Sequence, residues 1–221
     1  MREDETDPNH RSLLRSLARR ALAERTFVRP ADAPAPLGED AQLLEMDLHR
    51  AGRHELGISD EAAPSHRSSL RRVLNCWCAA RPHIGYVQGI NCIAAALLVM
   101  CEHSEDEAAV LLLLLVERLP TDWYLDQLKG GRVECGALLL LARARHPQLF
   151  SEGDLSSAGR ASPLHLALSV AGAAWLLSLW VGVLPLDCLA LAWHLLLSEA
   201  ASSEASSAAA ATPPPSNLRI G

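Results

Sequence analysis

The chain has 221 residues, 49% of them hydrophobic but only 4% aromatic, and a net charge of −6. Leu and Ala therefore carry the core, which favours helix over sheet, and the length suits one domain that can bury a sizeable interior. An acidic balance with pI near 5.8 excludes the electrostatic footprint of a nucleic-acid binder.

Residues 1–36 read as an amphipathic helix followed by a proline-rich linker. "RSLLRSLARRALAERTF" (11–27) puts Leu13, Leu14, Leu17, Ala21 and Leu22 on one side and arginines elsewhere. Such a helix can lie on a membrane or pack on its own domain, and the second is expected. Pro30, Pro34 and Pro36 then break the chain. The acidic opening "MREDETD" is unlike a signal or transit peptide, so a reduced, cytoplasmic setting is expected.

A short helix follows in "EDAQLLEMDLHR", with Leu43, Leu44 and Leu48 as its apolar stripe and Asp47 and Arg50 in its last turns. The next runs from about Ser65 to Ala80, where Leu70, Val73, Leu74 and Trp77 keep the spacing of a core-facing side and Pro82 enforces the end. Then comes "RPHIGYVQGIN", a break holding Gly85 and Gly89 around Tyr86-Val87-Gln88. The helix that starts near Gln88 or Gly89 is apolar on nearly all sides and should be central.

Ser104 is placed to cap the following helix, with Glu105, Asp106 and Glu107 in its first turn and Pro120 as its stop. "RVECGALLLLARARHP" gives another helix. The uncharged stretch 164–186 is long enough to cross a membrane, but it contains His165, two serines and two glycines and lacks a basic flank. The centre of a helical core is the preferred reading. "LDCLALAWHLLLSEA" is the last expected helix, and residues 201–221, rich in Ala, Ser and Pro, should be disordered. The fold class is all-α, with seven or eight helices. The six cysteines are scattered, and only Cys76 and Cys78 lie close, so buried thiols are expected rather than a metal site.

Spacing alone reads Gln88 as a cap and Tyr86 as core filler, or Gln88 as a group that orients a water at a helix N-terminus where anions are welcome. Asp47 and Arg50 read equally as an i,i+3 ion pair on a surface.

"RRVLNCWCAARPHIGYVQGINCIAAALL" closely resembles the glutamine-finger motif of the TBC (Rab GTPase-activating) domain family, matching at Pro82, Gly85, Tyr86, Gln88, Gly89 and Asn91. "LLEMDLHR" resembles the family's I-x-x-D-x-x-R motif through Leu44, Asp47 and Arg50, although Ala51 stands where Thr is usual. A third motif is matched more weakly over "AAWLLSLWVGVLPLDCLALAWHLLLSEA", where His194 replaces Asp and Ala200 replaces Gly. The resemblance implies a TBC-type domain over 37–200 with an incomplete C-terminal lobe.

It implies also a GTPase activator for a Rab-type small GTPase, acting in trans rather than as an enzyme with its own bound substrate. Arg50 would be the arginine finger and Gln88 the glutamine finger, with Asp47 holding Arg50 and Tyr86, Gly85, Gly89 and Asn91 supporting the loop. No cofactor is expected, since GTP and Mg²⁺ would belong to the partner. The setting would be vesicle trafficking, with peripheral endomembrane association through that partner. A non-catalytic GTPase-binding or scaffold module is the alternative from another class, and a small membrane protein built on 164–186 is the third.

Overall fold

The structure is a computed structural model that describes residues 9–49, 51, 56–120, 122–125, 128–150 and 163–210, without the side chains of 163–166 and 199–210. Among the described residues there are eight α-helices, one 3₁₀ turn and no strand. The helices are α1 (His10–Glu24), α2 (Gly38–Asp47), α3 (Ala63–Ala80), α4 (Ile90–Met100), α5 (Glu105–Glu117), α6 (Lys129–Arg145), α7 (Pro163–Leu177) and α8 (Leu186–Ala210), with the 3₁₀ turn at Pro147–Leu149.

The most apolar segment takes the centre. In α4, Ile93 through Leu98 are all fully buried, as a helix apolar on every side demands. α3 and α5 flank it, α1 packs on α5 and α8, and α6 pairs with α7. The expected face of α3 is correct: Leu70, Val73, Leu74 and Trp77 are buried. In α2 the stripe is narrower than expected, because Leu44 and Leu48 are buried while Leu43 remains exposed.

Helix ends follow local chemistry. The Asn9 carboxamide accepts from the Arg11 amide at the start of α1, and the Ser104 hydroxyl caps α5 by accepting from the Glu107 amide. The α5 helix ends at Glu117, before Pro120, since proline restricts the residues ahead of it as well.

The uncharged stretch does not form one rod. Helix α7 stops at Leu177, where the Leu179 amide returns to the Leu176 carbonyl and the Trp180 amide to that of Trp175. This is a Schellman turn without glycine: Leu179 and Trp180 carry φ of 46° and 70°. At 15 residues α7 is about 22 Å long, short of the ~30 Å apolar core of a bilayer. No helix among the described residues is long and apolar enough to cross a membrane.

Two further expectations are resolved by packing and composition. The basic helix α1 lies on its own domain, burying Leu14, Ala18 and Ala21, while its arginines meet acidic side chains. Arg15 and Arg19 both donate to the buried Glu107 carboxylate, at 2.8 and 2.9 Å, and Arg29 pairs with Asp106. At the other end, α8 continues to Ala210, into the segment expected to lack structure. The repeated alanines there are the strongest intrinsic helix formers and carry the helix to Ala210; residues 211–221 lie outside the described ones.

Cys76, Cys78, Cys101 and Cys135 are buried free thiols, and burial pushes Cys76 up to about 11 and Cys78 and Cys101 up to about 12. They are protonated, apolar packing groups at neutral pH.

Candidate functional site

Two distant stretches of sequence meet at the N-terminus of α4. From the end of α2 comes Asp47, which is buried together with Leu44 and Leu48. From the break after α3 comes the loop 81–89. Tyr86 is buried at 5% exposure, and its phenol donates to Asp47 Oδ2 at 3.0 Å. Burial first, then the Asp47 carboxylate, raise the Tyr86 pKa well above its ordinary value. The phenol thus stays a donor across any physiological pH. Asp47 is buried and not on the surface, while Arg50, its expected partner, lies outside the described residues.

Asn91, in the first turn of α4, fastens the same junction from its other side. Its Nδ2 donates to the Asp47 carbonyl at 3.2 Å, and its Oδ1 accepts from the Gly89 amide at 3.1 Å. One buried carboxamide thereby satisfies an orphan carbonyl at the end of α2 and an orphan amide at the start of α4. The loop's other end is pinned by Trp77, whose indole Nε1 donates to the Gly85 carbonyl at 2.9 Å.

Both glycines are required by geometry. Gly85 has φ of +69°, and a Cβ there would meet the Asp40 carboxylate at 2.5 Å. Gly89 has φ of +105°, and a Cβ there would lie 2.6 Å from the Leu177 carbonyl oxygen, a backbone atom that cannot swing aside.

Gln88 does not cap α4. The helix begins at Ile90 with Gly89 in the cap position and no side-chain capping bond. The Gln88 side chain is instead exposed, at the rim of a cavity of about 370 Å³ lined also by Asp47, Asn91, Cys92, Leu177 and Ser178. Of the expected site residues, Asp47, Gly85, Tyr86, Gln88, Gly89 and Asn91 are thus brought together. Arg50 lies outside the described residues; it follows Asp47 by three positions, and Ala51 beyond it is buried.

Sequence reasoning missed Trp77 as a loop anchor, taking it for a core residue only. It missed also Tyr124, whose hydroxyl donates to the Leu177 carbonyl at 3.1 Å, and Leu177 itself. No periodicity marks them, because their role depends on two separate helix ends meeting the loop.

Comparison with known proteins agrees with this architecture. The model of the Rab-GTPase-TBC domain family matches residues 33–211. Similar curated proteins include the GTPase-activating protein MSB4 of Saccharomyces cerevisiae, 26% identical over 181 residues that make up 73% of this chain and 36% of that protein. TBC1 domain family member 30 of Mus musculus is 28% identical over 63% of this chain and 19% of its own length. The TBC domain-containing protein C4G8.04 of Schizosaccharomyces pombe is 29% identical over 64% of this chain and 17% of its own. The chain spans little more than a third, or less, of the length of these relatives. No solved structure matches it. With the family match covering most of the chain and the two motifs joined at one buried junction, the protein belongs to the Rab-GTPase-TBC domain family.

Proposed function

We propose that this chain is a GTPase-activating protein for a Rab-type small GTPase, acting through Arg50 and Gln88 in trans. The observation that carries the proposal is the junction of Asp47, Tyr86 and Asn91. It fixes the end of α2, from which Arg50 follows, against the loop that presents Gln88 to solvent. Hydrolysis of a bound GTP needs an in-line water and neutralisation of charge on the phosphoryl oxygens. A glutamine can donate and accept at once, which suits orienting a water, while a guanidinium fork suits phosphoryl oxygens. GTP and Mg²⁺ come with the partner, and this chain needs no cofactor of its own. Peripheral membrane association through the GTPase follows from the same reading.

The test is GTP hydrolysis by a panel of purified Rab GTPases with the wild-type chain, Arg50→Ala and Gln88→Ala. Acceleration that both substitutions abolish supports the proposal; an arginine finger is worth about 10³–10⁵ in rate. Val133, Leu140 and Leu141 on α6 and Leu195 on α8 are exposed, which favours a second reading as a binding module without catalysis. Complex formation with a GTPase and no acceleration would select it.

A further inference from the structure

We infer that Tyr124 is a positioning residue for the Gln88 loop, acting through the backbone carbonyl of Leu177; the inference rests on the reading of Gln88 proposed above. Three segments remote in sequence converge on that one oxygen. The connection between α5 and α6 supplies the Tyr124 hydroxyl, which is buried and donates to it at 3.1 Å. The end of α7 supplies the carbonyl. The loop supplies Gly89, whose backbone presses so closely that a methyl added there would sit 2.6 Å from the same oxygen.

The carbonyl belongs to the last residue of α7, where helix carbonyls lose their intrahelical partners. Without Tyr124 it would be left to find another donor, because the residues that follow reverse direction through left-handed Leu179 and Trp180 and their amides bond the carbonyls of Leu176 and Trp175. Tyr124 is itself held by its neighbours. The Gly130 amide donates to the Asp122 carbonyl at 3.1 Å, and a Cβ on Gly130 would strike the Trp123 backbone at 2.8 Å. The hydroxyl is thus delivered by a braced turn to the carbonyl that abuts Gly89. That helix end forms one wall of the cavity at whose rim Gln88 stands. A shift of the carbonyl transmits directly to Gly89, and Gln88 precedes it by one peptide.

Burial raises the Tyr124 pKa above the ordinary phenol value, so the hydroxyl remains a donor. Tyr124→Phe removes this one bond and leaves the ring. The experiment has two arms on the full chain. In the first, the ¹⁵N–¹H resonance of the Gly89 amide is compared in wild type, Tyr124→Phe, and a chain carrying 3-fluorotyrosine at 124, a stronger donor. Gly89 is expected to move in both, in opposite senses; a Gly89 resonance that neither substitution moves overturns the inference. In the second, multiple-turnover activation of the responding GTPase is measured. Tyr124→Phe should lower kcat by about ten- to a hundredfold with KM changed less than about twofold, the signature of a misplaced catalytic group. A rise in KM at unchanged kcat overturns it as well. Should the wild-type chain accelerate no GTPase, the functional reading fails, while the Gly89 resonance still decides the mechanical coupling.

Discussion

The Tyr86 phenol donates to the Asp47 carboxylate at 3.0 Å, across 39 positions of sequence, and both groups are buried. This single bond ties the helix that precedes Arg50 to the loop that carries Gln88. A hydrogen bond to a buried charged acceptor contributes about 1.5–3 kcal/mol. Tyr86→Phe should therefore lower the unfolding free energy by that amount in a denaturant titration, and reduce GTPase activation by more than the loss of folded protein explains. A variant as stable as wild type would show that the bond does not hold the junction.

Gly89→Ala should be the most damaging single-methyl change in the loop. Its φ of +105° strains any side chain, and the methyl meets the immovable Leu177 carbonyl at 2.6 Å. Left-handed strain of this kind costs about 1–3 kcal/mol before the clash is added. Gly182→Ala, also at positive φ but with nothing within 4 Å, supplies the comparison. Thermal melts should place Gly89→Ala clearly below Gly182→Ala, and equal melting temperatures would contradict the close approach.

Glu107→Gln should loosen α1. The carboxylate is buried and takes donors from both Arg15 and Arg19, and Arg15 bonds Glu102 as well. Neutralising it removes two charge-assisted bonds, worth about 1–3 kcal/mol because the arginines can still reach water. Limited trypsin digestion should cut within α1 faster in the variant, while the exchange of α4 amides changes little. In the wild type, raised salt should weaken the exposed pairs Arg25–Glu117 and Arg29–Asp106 before this one.

Stability should fall with acid in a window set by His66. This imidazole is buried, lies edge-on to His103 with ring centroids 5.6 Å apart, and has neither ring nitrogen hydrogen-bonded. Burial, then the neighbouring His103, lower its pKa from 6.5 to about 4. Between those values the unfolded chain binds a proton that the folded chain refuses, so stability rises with pH there and levels off above about 6.5. The slope is at most about 1.4 kcal/mol per pH unit from this group. His66→Leu should flatten the dependence between pH 4 and 6.5; an unchanged slope would assign it to other groups.

How much of this was legible beforehand depends on the range of the physics involved. Helix faces such as Leu70–Trp77 follow from periodicity, and the Ser104 cap and the end at Ala80 from local chemistry, so the sequence exposes them directly. The break of the 164–186 stretch at Leu177 was hidden because its Schellman turn uses Leu179 and not glycine. The helix through Ala210 was hidden because an Ala/Ser tract reads equally as low complexity. Within the site, the motif residues were visible as types at fixed spacing. Their contacts were not: Asp47 meeting Tyr86, or Tyr124 reaching the carbonyl that abuts Gly89, exists only after distant helix ends pack together.

The arginine contacts of α1 impose an order on events at the ribosome. Arg15 is bonded to Glu107, 92 positions later, and Arg25 to Glu117 at the same separation. At about 5–20 residues per second, α1 emerges roughly 5–20 s before the surface it covers exists. For that interval the leucines of α1 lack the α5 surface on which they pack, so α1 must wait for a helix separated from it by three others. A nascent chain stalled before α5 should therefore hold α1 open to chaperones.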